Sequence, residues 1–204
     1  MPLQLYDNPA SPFCRKVNVL LEELGESHLV ERIPAIGHPT ASEKMPTSIN
    51  PLGKIPVLLR DDGPAIYDSR VICRFLDDHF GGRFYPAHRI WDVLTLEATA
   101  DGMMDAAVLM VYESRARPED KRHADWVEGQ WAKIERGLDM LEDRWMSHLQ
   151  GHFDIGVASV AIALDYLDFR APERDWRDGR VVLGAWHAKI ADRASLAQTM
   201  PKNP

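Results

Sequence analysis

The feature that most restricts this chain is a change of texture near residue 80. Before it, strand-like and helix-like patterns alternate; after residue 86 every periodic segment is helical. No single layered architecture accommodates both halves, so two domains are expected, residues 1–80 and 87–204, with 81–86 as the linker. Gly81, Gly82 and Pro86 interrupt either period there. The 204 residues suffice for two cores.

In the first half, Leu3 and Leu5 flank Gln4 with strand period, and the turn residues Asp7, Asn8 and Pro9 follow. Ser11-Pro12 then reads as an N-cap with proline at the first helical position, and Phe13, Val17, Leu20, Leu21 and Leu24 repeat at helical spacing up to Gly25, a left-handed C-cap. Residues 28–33 are expected as a second strand, and 34–51 as an irregular stretch with room for a short helix. Residues 55–59 and 65–67, bracketing Asp61-Asp62-Gly63, read as a hairpin. Asp68 and Ser69 can both cap the helix that carries Ile72, Phe75 and Leu76 on one face. The order is βαβ, loop, ββα.

The second half offers a long helix over 90–116 ended by Pro118, and another with Ile134, Leu138, Leu141, Trp145 and Leu149 as its apolar stripe. A further helix is capped by Asp154, and a last one spans about 181–191. The run 157–164 is apolar on every side, so its helix must be buried all round. That run is also well short of the roughly 18 to 20 residues needed to span a bilayer, and the N-terminus lacks the pattern of a signal peptide.

Charge and cysteine content narrow the partners. A net charge of -7, from 24 Lys and Arg against 31 Asp and Glu, argues against nucleic acid and against anionic membrane surfaces. Two cysteines, Cys14 and Cys73, are too few for a disulfide scaffold and lack zinc-site spacing, which fits a reducing, cytoplasmic compartment. His148 and His152 have helical spacing but Gly151 stands between them, and no metal is expected. Lys121-Arg122-His123 is diluted by neighbouring acids and reads as solvated surface.

Four landmarks in order then carry a resemblance: Ser11-Pro12-Phe13-Cys14-Arg15-Lys16-Val17, Asn50-Pro51-Leu52-Gly53-Lys54-Ile55-Pro56-Val57-Leu58, Asp68-Ser69, and the buried helix opening at Asp154. Over essentially its whole length the chain resembles the glutathione transferase family, in the bacterial form with serine at the N-cap. The resemblance implies a thioredoxin-like N-terminal domain, an all-helical C-terminal domain, glutathione as co-substrate, a small electrophile as acceptor, a role in detoxification, and a homodimer pairing the first domain of one subunit with the second of the other.

Ser11 carries the physical argument. A hydroxyl at the positive end of a helix, near unpaired N–H groups, favours an anion such as a thiolate; the plain alternative is that Ser-Pro only starts a helix. Cys14 has two readings, a buried packing residue or, because Ser-Pro-Phe-Cys looks like a glutaredoxin loop with its first cysteine replaced, a redox thiol made acidic beside Arg15 and Lys16. Ile55-Pro56 matches the family's cis-proline position, where the Ile55 backbone would pair with the tripeptide. Lys54 is a candidate for the glycine carboxylate, with an exposed surface lysine as the alternative. Asp68 and Ser69 would hold the γ-glutamyl ammonium and carboxylate while capping. Met103, Met104, Met110 and Tyr112 line either the acceptor pocket or the core. Asp154 lacks a reciprocal capping partner, since Val157 stands three residues on. Besides a transferase, two other functions fit: a glutathione-dependent thiol oxidoreductase or peroxidase using Cys14, and a non-catalytic binding or regulatory module on the same fold.

Overall fold

The structure is a computed structural model and describes residues 3–41 and 45–203. Residues 42–44, part of the stretch read as irregular, lie outside the described residues. The chain divides into two compact units, Met1–Tyr85 with Gln198–Pro204, and Pro86–Ala197.

The first unit contains β1 (Leu3–Asp7), α1 (Pro12–Leu24), β2 (Val30–Pro34), β3 (Val57–Leu59) and α2 (Ser69–His79). The sheet has the order β2-β1-β3. β1 runs parallel to β2, with Leu5 opposite Arg32, and antiparallel to β3, with Leu5 opposite Leu58. As the central strand β1 buries Leu5 completely, and Val17, Leu20 and Leu21 of α1 join Ile72 and Leu76 of α2 in the same core. α1 opens at Ser11 and closes at Gly25, whose φ of 78° lets its N–H reach back to Glu22 O, as its left-handed cap position requires.

Two local expectations change. The second strand starts at Val30 because Ser27–Leu29 forms a 3₁₀ turn that Arg32 gathers in, its guanidinium donating to Ser27 O at 2.7 Å and Ser27 Oγ at 2.9 Å. The second arm of the hairpin shrinks to Ile66, which exchanges both backbone hydrogen bonds with Leu58. Pro56, with no N–H to give a ladder, precedes the first residue of β3. The last residues of the chain belong with this unit and not with the helices: Lys202 N donates to Pro9 O at 3.3 Å, and Arg15 Nε to Thr199 Oγ1 at 3.4 Å.

The second unit comprises α3 (Ile90–Ala116), α4 (Ala124–Met140), α5 (Met146–Leu149), α6 (Ile155–Arg170) and α7 (Val181–Ile190), with α8 (Ala194–Gln198) at its end. The stripe read as one helix from Ile134 to Leu149 is α4 and α5 joined through a π-helical turn, Leu141–Trp145. The wider turn places Glu142 where its carboxylate accepts the N–H groups of Val182 and Leu183 at 3.0 and 2.6 Å, so it caps α7 from another element. Every residue of α6 from Ile155 to Leu167 is buried. Gly156 allows α3 that close: a Cβ there would lie 3.0 Å from Val93 O. Among the described residues no helix is long and apolar enough to cross a membrane.

A helix without a wet face needs its first N–H groups satisfied from within. Asp154 is fully buried; its Oδ1 accepts Val157 N at 3.0 Å. The reciprocal partner absent from the sequence pattern is replaced by tertiary ones, His148 Nε2 at 2.9 Å and Arg89 Nη2 at 3.8 Å from Oδ2. Asp154→Ala is therefore expected to lower unfolding free energy by about 2–4 kcal/mol, the sum of a lost cap and a lost buried charge-assisted bond. Asp154→Asn, which keeps the Oδ1 cap, should lose less; chemical denaturation of the three proteins measures the difference.

Candidate active site

Sheet register collects the candidate residues of the first unit at one end. Tyr6 pairs with Val57 and Asp7 with Pro34, so the loop leaving β1 toward Ser11, the loop after β2, and the Lys54–Pro56 segment entering β3 end side by side. Ile66 lies antiparallel opposite Leu58, so the chain runs back past Pro56 to reach Asp68. Ser11, Lys54, Ile55, Pro56, Asp68 and Ser69 thus come from three segments of sequence to one end of the sheet.

Ser11 is the N-cap of α1, extended at φ −90° and ψ 122°, and its Oγ accepts Cys14 N at 3.3 Å. That bond uses one lone pair, and the hydroxyl proton remains available to a ligand. Asn8 shapes the loop: its carbonyl accepts Ser11 N at 3.0 Å, its Oδ1 accepts Ala10 N at 2.9 Å, and its Nδ2 donates to Ala35 O at 2.7 Å. Asn50 does the same for the second segment. It is 1% exposed, donates to Lys54 O at 2.9 Å and accepts Leu52 N at 3.0 Å. The sequence showed Asn50 in a motif and Asn8 in a turn; their side-chain ties across segments were not visible there, although an Asn beside a proline turn is a signal for them.

Ile55–Pro56 is cis, as is Tyr67–Asp68. Lys54 is exposed and Ile55 half-buried. Among the described residues no hydrogen bond is made by the Ile55 peptide groups. Asp68 is the N-cap of α2, its Oδ1 accepting Arg70 N at 3.0 Å, and Ser69 is the first helical residue, so the capping expected of both falls to Asp68. Its Oδ2 accepts Arg70 Nη2 at 2.9 Å. Burial pushes the Asp68 carboxyl up, but the Arg70 bonds and charge, with Lys16, outweigh it and hold the group below its usual range. Asp68 is therefore already half-engaged by a cation at the position expected for a ligand ammonium.

Cys14 is fully buried, with Sγ 4.0 Å from Tyr6 O. Burial and then the charge of Asp7 push its thiol far up, against the weaker help of Ser11 and the Asn8 backbone. The acidity expected from Arg15 and Lys16 is absent: neither acts on the thiol, Arg15 Nε donating to Thr199 Oγ1 at 3.4 Å and the Lys16 charge acting on Asp68. At the far end of α2, buried Asp77 accepts Arg83 N and Phe84 N at 3.0 Å and Tyr85 N at 3.3 Å, fixing the chain that leaves the unit. Sequence reading gave Asp77 no role.

In the helical unit, Met103 and Met104 are core residues at 3% and 1% exposure, so they offer a ligand no surface there. Tyr112 is half-buried; burial raises its phenol against the opposing charge of Arg115. Three donors of metal-binding type, Asp165, Asp168 and His187, lie within 4.8 Å of one another. Arg177 spans them, bonded twice to Asp168 at 2.7 Å and lying 3.2 Å from His187 Nδ1, while His187 Nε2 meets Asp165 at 2.8 Å. The guanidinium supplies the positive charge this cluster needs.

Family models for the glutathione S-transferase N-terminal and C-terminal domains match residues 10–79 and 124–189. The chain belongs to the glutathione transferase family. It is 32% identical over 98% of both chains to the Uncharacterized GST-like protein YibF of Escherichia coli. A glutathione transferase family member from Pseudomonas fluorescens Pf-5, solved with bound glutathione, is 43% identical with a TM-score of 0.93, covering 98% of this chain and 99% of that one. A glutathione S-transferase from Methylobacillus flagellatus, also with glutathione bound, is 33% identical with a TM-score of 0.86, covering 98% and 100%.

The buried thiol yields a pH test. Below about pH 8 Cys14 is neutral folded or unfolded and contributes nothing to pH dependence. As pH rises above the unfolded thiol pKa of about 8.5, only the unfolded chain ionises, so stability falls by up to about 1.4 kcal/mol per pH unit. Comparing unfolding of wild type and Cys14→Ala from pH 7 to 10 should show that component missing from the variant; equal pH slopes would mean that Cys14 ionises in the fold.

Proposed function

We propose that the protein ionises glutathione and transfers it to a small electrophile. The observation that carries this reading is Ser11, a hydroxyl cap with a donor proton to spare at the N-terminus of α1. There the helix dipole and the first N–H groups favour a thiolate. Lowering a thiol from about 8.5 by two units takes about 2.7 kcal/mol, within reach of two or three such contacts. In this reading Lys54 takes the glycine carboxylate, the unbonded Ile55 peptide groups beside cis Pro56 pair with the cysteinyl backbone, and Ser69 with the α2 N-terminus holds the γ-glutamyl carboxylate. Asp68 shares its charge between Arg70 and the ammonium.

The thiol proton leaves to water, the thiolate sulfur forms a bond to the electrophilic carbon, and either a leaving group departs or the adduct takes up a proton. The structure of the Pseudomonas relative with S-(propanoic acid)-glutathione, 43% identical, supports room beside the sulfur for a small substituent. Buried Cys14 makes the oxidoreductase alternative the weaker one, because a thiol that cannot ionise is a poor nucleophile. Exposed Leu52 and Val71 of the first unit and Trp91 of the second offer apolar surface for the homodimer. Two buried free cysteines suit a reducing cytoplasm.

Ser11→Ala should leave glutathione affinity nearly intact but raise the bound thiol's pKa by about one to two units, lowering conjugation near neutral pH by about 10- to 100-fold with partial recovery at alkaline pH. Thiolate absorbance of the bound tripeptide against pH reads this directly. A non-catalytic module would bind glutathione and show no thiolate signal in either protein. Separately, Ser69→Ala should weaken glutathione binding by about tenfold or more, with little loss of stability since Asp68 retains the cap. Calorimetric titration alongside thermal melting separates the two effects.

A further inference from the structure

One residue meets both oxygens of the Asp68 carboxylate. Oδ1 accepts the Arg70 backbone N–H at 3.0 Å, and Oδ2 accepts Arg70 Nη2 at 2.9 Å. The first bond is the cap of α2; the second is an ion pair, which capping does not require. A cation in the first turn of a helix also opposes the positive end of its dipole, so Arg70 stands against the preference of α2 itself. Both side chains are about half exposed, 56% for Arg70 and 53% for Asp68, which leaves the pair open to a cation arriving from solution.

We propose that Arg70 stands in for the ligand ammonium at Asp68 and so sets the specificity of the γ-glutamyl end of the site, which accepts thiol tripeptides with or without that ammonium; this role rests on the proposed pairing of Asp68 with the glutathione ammonium.

A binding site rejects a ligand that lacks one polar group mainly because the partner of that group is left bare. Asp68 is not left bare. When a ligand brings no ammonium, Arg70 Nη2 keeps Oδ2 paired. When a ligand does bring one, it meets a carboxylate already partly balanced by Arg70, with the Lys16 charge acting on it as well. Each carboxylate oxygen has a second lone pair, so the ammonium can bind beside Arg70, at a reduced gain. Both effects narrow the gap between the two kinds of ligand. The guanidinium also attracts the ligand carboxylates, but it attracts them equally with and without the ammonium.

The experiment is calorimetric titration of the full chain with glutathione and with its des-amino analogue, glutaryl-cysteinyl-glycine, which keeps the thiol and both carboxylates. Wild type, Arg70→Gln, Asp68→Asn and the double variant are compared, and the readout is the ratio of the two dissociation constants. Glutamine suits a helix and asparagine keeps an N-cap, and thermal melting reports that all four proteins fold. Wild type should prefer glutathione by less than about tenfold, the low end for an unshared charge-assisted hydrogen bond. Arg70→Gln should raise that preference about two- to fivefold, the range of an exposed ion pair, and adding Asp68→Asn should remove the rise. A larger preference in wild type, or an unchanged or smaller one in Arg70→Gln, overturns the proposal; the pairing of Asp68 with the ammonium still stands if Asp68→Asn alone lowers the preference. A rise in Arg70→Gln that persists in the double variant, or no glutathione binding by wild type at millimolar concentration, overturns that pairing and the proposal with it.

Discussion

A helix buried on all sides removes its own N-terminal N–H groups from water, and the second unit is organised around that requirement. Every residue of α6 from Ile155 to Leu167 is buried, so the four donors at its start have to be met by the protein. Asp154 answers one of them, and in doing so becomes a fully buried carboxylate that needs partners of its own. His148 and Arg89 supply them from the chain before α6 and before α3. The cap, the turn after α5 and the entry to α3 are therefore fixed together. Gly156, one residue inside α6, is the second half of the same constraint, since a side chain there would meet the Val93 carbonyl of α3.

In the first unit the start of one helix carries a half-buried hydroxyl and a fully buried thiol. Ser11 and Cys14 lie three residues apart at the N-terminus of α1. The Ser11 hydroxyl is only half-buried and accepts Cys14 N at 3.3 Å. At Cys14 the helix dipole acts on a thiol with no water and with Asp7 nearby, and desolvation wins. Sequence proximity of Arg15 and Lys16 does not reverse this, because helical geometry turns consecutive side chains to different faces.

Much of this was legible beforehand. Helix ends were, because caps are local: Ser11-Pro12 and Gly25 bound α1, and the spacing of residues 90–116 matches α3. The cis proline was legible only through the family motif. Strand ends were less so, since Ser27–Leu29 is drawn into a turn by Arg32, and the second hairpin arm reduces to Ile66. The methionines of α3 could not be sorted by type alone; Met103 packs against Gly137, where a Cβ would lie 2.8 Å from its sulfur, while Met110 lines a cleft of the helical unit.

What the sequence determined by itself was whatever depends on residues within one or two turns of each other: helix starts and stops, the change from mixed to helical texture, and which short motifs could hold an anion. What only the tertiary structure decided was where side chains are spent. Asp68 meets Arg70, Asp154 meets His148 and Arg89, Asp77 holds the chain that follows α2, and Arg122 donates to the Ser114 carbonyl of α3. The physical reason is desolvation. Whether a charge or a thiol is ionised, paired or open to a ligand depends on how much water its neighbours displace, and those neighbours are assembled from distant parts of the chain.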